Sequence, residues 1–156
     1  MFNIFVHSRG SVELVQTNKV FSLISIIEPV SKNEARDEFD LMHKSFPIMA
    51  GHKPNCFSSL CLRFYDVDQV AETKDGTFMY PISGPQARLI ANFAENCYQE
   101  DIEELYVNCA AGISRSAGIA AAISKFYTGD DDRFYKAYVP NRYVYMIVLS
   151  ALNELR

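Results

Sequence analysis

Four short apolar runs along the chain are typical of buried β-strands. They are FNIFV at residues 2–6, VFSLISII at 20–27, SSLCLRFY at 58–65 and LYVNC at 105–109, and they are rich in β-branched and aromatic residues. A stretch long enough for a helix, SRGSVELVQTN, joins the first two runs. Two strands joined by such a crossover are predicted to be parallel.

The carboxyl-terminal half has the three-and-four spacing of amphipathic helices. A helix is predicted after Ser83, which lies three residues before Gln86 in a capping-box pattern, with Pro85 in the first turn. Its apolar face is predicted to hold Leu89, Ile90, Phe93, Ala94, Cys97 and Tyr98. Further helices are predicted for NEARDEFDLMHKSF, for SAGIAAAISKFYTG with Gly129 as its end, for DDDRFYKAY, and from Asn141 onward, where Val144, Ile147, Val148, Ala151, Leu152 and Leu155 share one face.

This order of elements predicts an α/β domain with a mostly parallel central sheet of about four to five strands flanked by helices. The chain has the length of one domain, spanning residues 1–156. In such sheets ligands bind outside the carboxyl ends of the strands, and Cys109 ends the last strand. The polar stretch 66–81 is predicted to be a long irregular loop of the kind that often carries function.

Composition and charge narrow the class of partner. The 15 basic and 19 acidic residues give a net charge of -4 without a basic stripe, so no nucleic-acid partner is expected. No apolar stretch has the length of a membrane span, so we expect a cytoplasmic protein without a membrane partner. The cysteines at 56, 61, 97 and 109 are predicted to be free thiols, and a zinc site at the first two is disfavoured because no further ligand is close in sequence.

The segment CAAGISRS, residues 109–116, combines an anion site with a nucleophile. Two alanines and a glycine keep the side chains small, so that successive backbone N–H groups can converge on an oxyanion. The amino terminus of the following helix adds partial positive charge, and the Arg115 guanidinium can bind two phosphate oxygens at once. These surroundings are predicted to lower the pKa of the Cys109 thiol, which makes it a nucleophile at neutral pH.

Other interpretations of this segment fit less well. It lacks the second glycine of a hydrolase nucleophile elbow and the lysine of a Walker motif. A tight turn between two core elements, without chemistry, is the structural alternative. The residue types and their spacing favour a site for a tetrahedral dianion.

At these residues the chain resembles the cysteine-based protein tyrosine phosphatases. CAAGISRS matches the family signature of Cys, five residues, Arg, then Ser or Thr; LRFYD matches the strand before the family's acid loop, and PNR introduces the last helix. Together the three segments resemble the small dual-specificity-like phosphatases of bacteria and their viruses over nearly the whole chain. The resemblance implies a protein tyrosine phosphatase-like fold. It also implies hydrolysis of phosphate monoesters, protein phosphotyrosine foremost and phosphoserine or phosphothreonine as well, through a phosphocysteine.

The resemblance implies a role for each matched residue. Cys109 would be the nucleophile, and Arg115 would hold the phosphate oxygens. Asp66 would act as general acid and then as general base, and Ser116 would hydrogen-bond the sulfur. The phosphate-binding residues would be Ala110, Ala111, Gly112, Ile113, Ser114 and Arg115. No metal and no cofactor are implied, and the partner would be a phosphorylated protein or another phosphomonoester.

Several neighbouring residues are less determined. Asp68 is the alternative to Asp66 as the acid. Asn141 is predicted to cap the last helix, and Arg142 to be a surface or loop-bracing charge. Asn108 departs from the family, in which His usually precedes the nucleophile, and we expect the thiolate to form at higher pH than in relatives. Asparagine still provides a hydrogen-bonding side chain.

Two other functions remain open from the sequence. One is a catalytically weak domain that binds phosphate or a phosphorylated protein, although binding alone needs no nucleophile. The other is sulfur transfer on the cysteine, as in rhodanese-like domains. A regulatory disulfide between Cys109 and Cys56 or Cys61 is conceivable, and the sequence does not place those thiols relative to one another. The physiological substrate is also left open.

Overall fold

The computed structural model describes residues 1–29 and 53–156. The helix predicted over NEARDEFDLMHKSF lies outside the described residues. In chain order the described elements are β1 (Asn3–Ser8), α1 (Arg9–Glu13), β2 (Phe21–Ile27), β3 (Cys56–Arg63), β4 (Ala71–Glu72), β5 (Phe78–Met79), α2 (Gly84–Gln99), β6 (Glu104–Cys109), α3 (Arg115–Thr128), α4 (Asp132–Ala137) and α5 (Arg142–Asn153).

Four parallel strands form the central sheet in the order β1-β6-β2-β3. The predicted α/β class with a parallel sheet is therefore confirmed. Strands β1 and β2 are parallel, as the crossover predicted, but β6 lies between them and pairs with both. Because all four strands run the same way, their carboxyl ends meet at one edge of the sheet, where Cys109 lies.

Two segments differ from the sequence prediction. The crossover between β1 and β2 contains only the five-residue helix α1, so it is mostly irregular. The stretch 66–81 is not a plain loop, because it contains the antiparallel pair β4 and β5, in which Ala71 faces Met79. A turn with Gly76 at φ 81 joins the two strands. Gly76 provides the backbone freedom that this reversal needs, and strands of two residues are too short to be found by periodicity.

The two faces of the sheet carry different cores. Helices α2, α3 and α5 cover one face, here called the main-core face, and side chains of Leu105, Val107 and Cys109 point into it. Helix α1 packs on the opposite face, here called the α1 face, where Tyr106 contributes to a smaller cluster. Alternation along β6 places Asn108 on the α1 face as well, because successive side chains of a strand point to opposite faces.

Helix α2 buries a narrower and more alanine-rich stripe than predicted. The buried residues are Ala87, Ile90, Ala91, Ala94 and Cys97. Leu89 and Tyr98, predicted on the buried face, are 51% and 39% exposed. Small side chains let α2 approach α5 closely, which rotates the larger residues toward the edge.

The helix ends follow the sequence signals. The Ser83 and Gln86 capping box is formed at the start of α2. Gly129 ends α3 in the left-handed region at φ 79, and the side chain of Asn141 accepts a hydrogen bond from the Val144 N–H at the start of α5. All four cysteines are free thiols, as predicted. Among the described residues, none of the helices has both the length and the apolar character that crossing a bilayer requires.

Candidate functional site

The loop between β6 and α3, residues 109–115, is positioned by close backbone packing against β1. Gly112 has φ 69, and a Cβ atom there would lie 2.7 Å from the His7 carbonyl oxygen and closer still to the Ser8 nitrogen. No larger residue fits without displacing the backbone. The Arg9 N–H also donates to the Ala110 carbonyl oxygen at 3.3 Å. The loop therefore lies directly on the turn that follows β1.

Cys109 is buried at the base of this loop, with 2% of its surface exposed. Its Sγ lies 3.1 Å from the Ser116 hydroxyl oxygen. Burial alone would raise the pKa of the Cys109 thiol. Hydrogen bonds from the Ser116 hydroxyl and from the N–H groups of Ser116, Gly112 and Ile113 outweigh burial, so the pKa lies below its ordinary value. The pKa is thus lowered with Asn108, rather than a histidine, in the preceding position.

Arg115 is also buried, and its guanidinium is held from two sides. One Nη1 hydrogen bond goes to the Phe64 carbonyl oxygen at 2.8 Å, and Nη2 lies 3.5 Å from the Glu28 carboxylate. Among the described residues, the Arg115 Nε has no hydrogen-bond partner. A buried donor without an acceptor is unfavourable, so this site is suited to an added anionic acceptor.

Asp66 follows β3 and contacts the 109–115 loop directly. Its Oδ1 accepts hydrogen bonds from the Ser114 hydroxyl at 2.9 Å and from the Asn141 Nδ2 at 2.8 Å. Asp68 is exposed and makes no hydrogen bond within the described part of the chain. The structure brings Asp66, rather than Asp68, together with the cysteine loop.

Asn141 links three elements at once. Its Oδ1 accepts from the Val144 N–H at 3.0 Å, its Nδ2 donates to Asp66, and its backbone N–H donates to the Ser114 carbonyl oxygen at 3.0 Å. The predicted helix cap is confirmed. The contact with Asp66 was not predicted, because the two residues are 75 positions apart in sequence. Arg142 beside it is exposed.

The phosphate-binding residues predicted from the sequence lie together in the loop. Ala110, Ala111 and Ile113 are exposed on the loop, Ser114 is half-buried, and Gly112 is buried against the end of β1. Ser114 precedes α3 but does not cap it through its side chain, since its hydroxyl is bonded to Asp66. Glu28 and the Phe64 carbonyl were missed by the sequence analysis. The available signal was that both follow or end parallel strands at the same edge of the sheet.

Asn108 lies on the α1 face behind the loop. It is fully buried, and within the described residues neither its Oδ1 nor its Nδ2 has a hydrogen-bond partner. Its neighbour in register on β2, Ser25, also has an unpartnered hydroxyl there. On β1, His7 lies in register with Asn108, and burial lowers the pKa of this histidine. The position before Cys109 therefore holds a buried polar side chain that forms no hydrogen bond with the described residues.

The strand register also shows on which face of the sheet the thiols of Cys61 and Cys56 lie. Cys61 pairs in register with Ser25, which pairs with Asn108, so Cys61 belongs to the α1 face. Cys56 packs against the smaller cluster on that face. Cys109 points to the main-core face. The sheet thus separates Cys109 from Cys61 and Cys56, and the arrangement does not support the disulfide considered from the sequence.

A cleft of about 1030 Å³ adjoins the acid segment. It lies between the end of β3 and the β4–β5 pair, and Tyr65, Phe78 and Tyr80 are among its lining residues. The Tyr65 N–H donates to the Tyr80 carbonyl oxygen, so the pair is attached to the residue before Asp66.

Comparison with known proteins finds solved structures with a similar architecture. No family model matches the sequence, and no curated protein matches it. The structure is similar to human tyrosine phosphatase-like serine/threonine/tyrosine-interacting protein, with 17% sequence identity, a TM-score of 0.55, and coverage of 97% of this chain and 89% of that one. It is similar to human DUSP28, with 14% identity, a TM-score of 0.56, and coverage of 97% and 92%. It is also similar to Tk-PTP in the active form, with 13% identity, a TM-score of 0.52, and coverage of 97% of this chain and 90% of that one.

These similarities confirm the predicted protein tyrosine phosphatase-like fold. The chain has the fold of the cysteine-based protein tyrosine phosphatase superfamily. The narrower resemblance to bacterial and viral proteins stays a prediction.

Proposed function

We propose that the protein is a cysteine-dependent phosphatase that hydrolyses phosphate monoesters through a phosphocysteine intermediate. One observation carries the proposal: the Asp66 carboxylate is hydrogen-bonded to Ser114, within the same loop whose amides lower the pKa of Cys109. A nucleophile and a proton donor are thereby held at one anion-binding loop. A binding function alone requires neither of them.

In the first step the Cys109 thiolate attacks phosphorus. The S–P bond forms while the bond from phosphorus to the ester oxygen breaks, and Asp66 gives its proton to the departing oxygen. The amides of residues 110–115 and the Arg115 Nε, which lacks a partner among the described residues, donate to the nonbridging oxygens. The contacts with Phe64 and Glu28 fix the guanidinium plane for this role.

In the second step water hydrolyses the phosphocysteine. Asp66, now ionised, removes a proton from the attacking water, and the S–P bond breaks to release phosphate. The Ser116 hydroxyl, 3.1 Å from Sγ, donates a hydrogen bond to the thiolate that leaves. The steps need no metal and no organic cofactor.

The proposed substrates are phosphorylated proteins, with phosphotyrosine foremost and phosphoserine or phosphothreonine as well, or another phosphomonoester. A thiol buried beneath a loop, as Cys109 is, favours a substrate that projects its phosphate on a long arm. The aromatic side chains beside Asp66, Tyr65 and Tyr80, provide apolar surface for an aryl group. A cytoplasmic location remains part of the proposal.

A phosphate-binding domain with weak catalysis is the second candidate. Two observations favour it: Cys109 is 2% exposed, and Arg115 is already engaged by Phe64 and Glu28. One structural neighbour is described as phosphatase-like and interacting. Sulfur transfer is supported less, because it has no use for a carboxylate held on the loop.

The test compares two leaving groups. Phosphate release is measured in chelator and reductant from phenyl phosphate, whose phenol has a pKa near the tyrosine value of about 10, and from para-nitrophenyl phosphate, whose leaving group is more acidic. We expect Cys109→Ser to abolish turnover of both. Asp66→Asn is expected to lower kcat about 100-fold on phenyl phosphate and less on the nitrophenyl ester, because the better leaving group needs less protonation.

Asp68→Asn is the matched control, since Asp68 is an exposed carboxylate two residues away. It is expected to leave both rates unchanged. Turnover that survives Cys109→Ser would refute the phosphocysteine. A parent protein that binds vanadate but releases no phosphate would replace the proposal with the phosphate-binding domain.

A further inference from the structure

The cleft beside the acid segment opens at the same edge of the sheet as the 109–115 loop. In the strand order β1-β6-β2-β3 the loop follows β6, and cleft residues follow β2 and β3, its neighbours on one side. Phe64 lines the cleft, and its carbonyl oxygen accepts from the Arg115 Nη1 at 2.8 Å. Tyr65 also lines the cleft and precedes Asp66. The cleft therefore begins within one residue of the candidate acid and at the residue that holds Arg115.

The outer wall of the cleft is apolar and exposed. The side chains of Val70, Phe78 and Tyr80 line it, and each residue is more than half exposed. The ring centroids of Phe78 and Tyr80 are 6.4 Å apart. Large apolar side chains exposed together mark an interaction surface. The volume of about 1030 Å³ is at the upper end of the range of roughly 300–1,000 Å³ for ligand pockets, so the cleft holds more than one aryl group.

The inner wall is fixed by the start of helix α2. The Gln86 Nε2 donates to the Arg63 carbonyl oxygen at 2.8 Å, and its Oε1 accepts from the Ser83 N–H at 3.0 Å. The Asp75 carboxylate, which also lines the cleft, accepts from the Thr77 N–H within its own turn. These bonds form the surface before a ligand binds, which reduces the conformational entropy lost on binding.

Charge and position indicate the kind of occupant. Residues 66–81 contain four acidic residues and one lysine, so this segment repels an anionic lipid surface and suits a neutral or basic polypeptide. An extended chain advances about 3.3–3.6 Å per residue. A polypeptide whose phosphate lies in the 109–115 loop therefore places nearby residues over a cleft that begins beside Asp66.

We propose that this cleft binds a large apolar side chain of a phosphoprotein substrate, within about four residues of the phosphorylated residue. Phe78 and Val70 are then specificity-determining residues. This inference rests on the proposed phosphatase function. It narrows the substrate class to phosphoproteins with an apolar residue close to the phosphorylation site.

The experiment uses phosphotyrosine peptides in a serine background, with one leucine moved through the four positions on either side. Phosphate release gives kcat/KM, and phenyl phosphate is the substrate without flanking residues. We expect leucine at one position to raise kcat/KM about 10-fold over the leucine-free peptide, the size of partial burial of one leucine side chain. Phe78→Ala removes most of this preference and Val70→Ala part of it. Both leave phenyl phosphate turnover unchanged, because that substrate does not reach the outer wall.

Phe57→Ala is the matched control. Phe57 is 48% exposed against 51% for Phe78, but it lies near the start of β3, at the opposite edge of the sheet from the loop. We expect this variant to keep the leucine preference. Vesicles that contain a singly phosphorylated phosphatidylinositol test the other class of substrate. If they are cleaved faster than every leucine peptide, and Phe78→Ala removes that difference, a lipid occupies the cleft and the inference is overturned.

The failures are distinguishable. If the parent releases no phosphate from phenyl phosphate, the proposed function fails and this inference falls with it. If phenyl phosphate is cleaved but leucine has no effect at any position, only the inference is overturned. The same holds if the preference survives Phe78→Ala and Val70→Ala together, or if Phe57→Ala removes it equally. A matching loss of phenyl phosphate turnover in Phe78→Ala and Val70→Ala, with the fold intact by circular dichroism, would also overturn it, because the outer wall would then act on catalysis itself.

Discussion

The two halves of the candidate site are held in different ways. Cys109 and Arg115 are 2% and 4% exposed and belong to the packed interior. Asp66 is exposed and is attached to the loop through two hydrogen bonds to one oxygen. Core packing fixes the first half, whereas hydrogen bonds worth about 1 kcal/mol each hold the second. Changes in the cysteine half should therefore affect stability and activity together, and changes in the acid half mainly activity.

The largest expected effect follows from Gly112→Ala. A Cβ atom would collide with the His7–Ser8 backbone, and alanine disfavours φ 69. We expect a loss of about 3 kcal/mol in the free energy of unfolding together with loss of turnover, measured by urea denaturation and phosphate release. Gly129→Ala is the control, because Gly129 has φ 79 with nothing within 4 Å of an added Cβ. It should cost about 1 kcal/mol and keep turnover. Equal losses in both would contradict a loop fixed by packing.

The next effect tests the acid half of the site separately from the cysteine half. Asn141→Asp keeps a side chain that caps α5 but replaces the donor to Asp66 with a carboxylate. We expect kcat on phenyl phosphate to fall about 10-fold or more, while the urea midpoint changes little, because the acid is repelled from its position. Asn141→Ser keeps a capping side chain but has no charge, so its kcat on phenyl phosphate should fall less. A large loss of stability with unchanged kcat would show that Asn141 serves only the helix.

Ser116→Ala tests the thiol directly. The pKa of Cys109 is lowered in the folded protein, so the thiolate stabilises the fold at pH above the ordinary thiol pKa, and that contribution disappears as the pH falls through the lowered value. Removal of the hydroxyl should move the pKa of Cys109 upward and slow alkylation by iodoacetamide at neutral pH about 10-fold. Ser124→Ala, at a hydroxyl bonded to the Asp130 carbonyl oxygen in the same helix, should leave the alkylation profile unchanged. An unchanged alkylation profile in Ser116→Ala would show that the Ser116 hydroxyl does not lower the pKa of Cys109.

The smallest effect is expected for Glu28→Gln. This carboxylate is 61% exposed although its partner Arg115 is buried, so solvent screens the pair. We expect a loss below about 1 kcal/mol in the free energy of unfolding. A loss above about 3 kcal/mol would indicate a buried ion pair and would place Glu28 with the packed half of the site.

The same division explains what the sequence could predict. The cysteine half is contiguous: residues 109–116 contain the candidate nucleophile, the small residues, the arginine and the hydroxyl that contacts sulfur, so short-range spacing was enough to predict it. The contacts of Asp66 with Asn141, and of Arg115 with Glu28, join residues far apart in the chain. Only the strand order brings them together. No local sequence pattern predicts that β6 lies between β1 and β2.

The errors in the fold prediction have a similar origin. Periodicity located α2 and its cap correctly but assigned Leu89 and Tyr98 to the buried face, since alanines were undervalued as contact residues. The β4–β5 pair was missed because two-residue strands carry no alternation to detect. Long helices and buried strands were predicted well, because apolar burial determines both the sequence pattern and the structure.

The carboxamide of Asn141 has a stereochemical consequence for the acid. Its oxygen faces the Val144 N–H, so the helix leaves only the NH₂ group to meet Asp66. Ser114 donates to the same oxygen of Asp66, Oδ1. In the proposed mechanism, with both donors on Oδ1, the transferable proton resides on Oδ2. The start of helix α5 would then select which of the two Asp66 oxygens protonates the leaving group, and so the side from which the departing oxygen receives its proton.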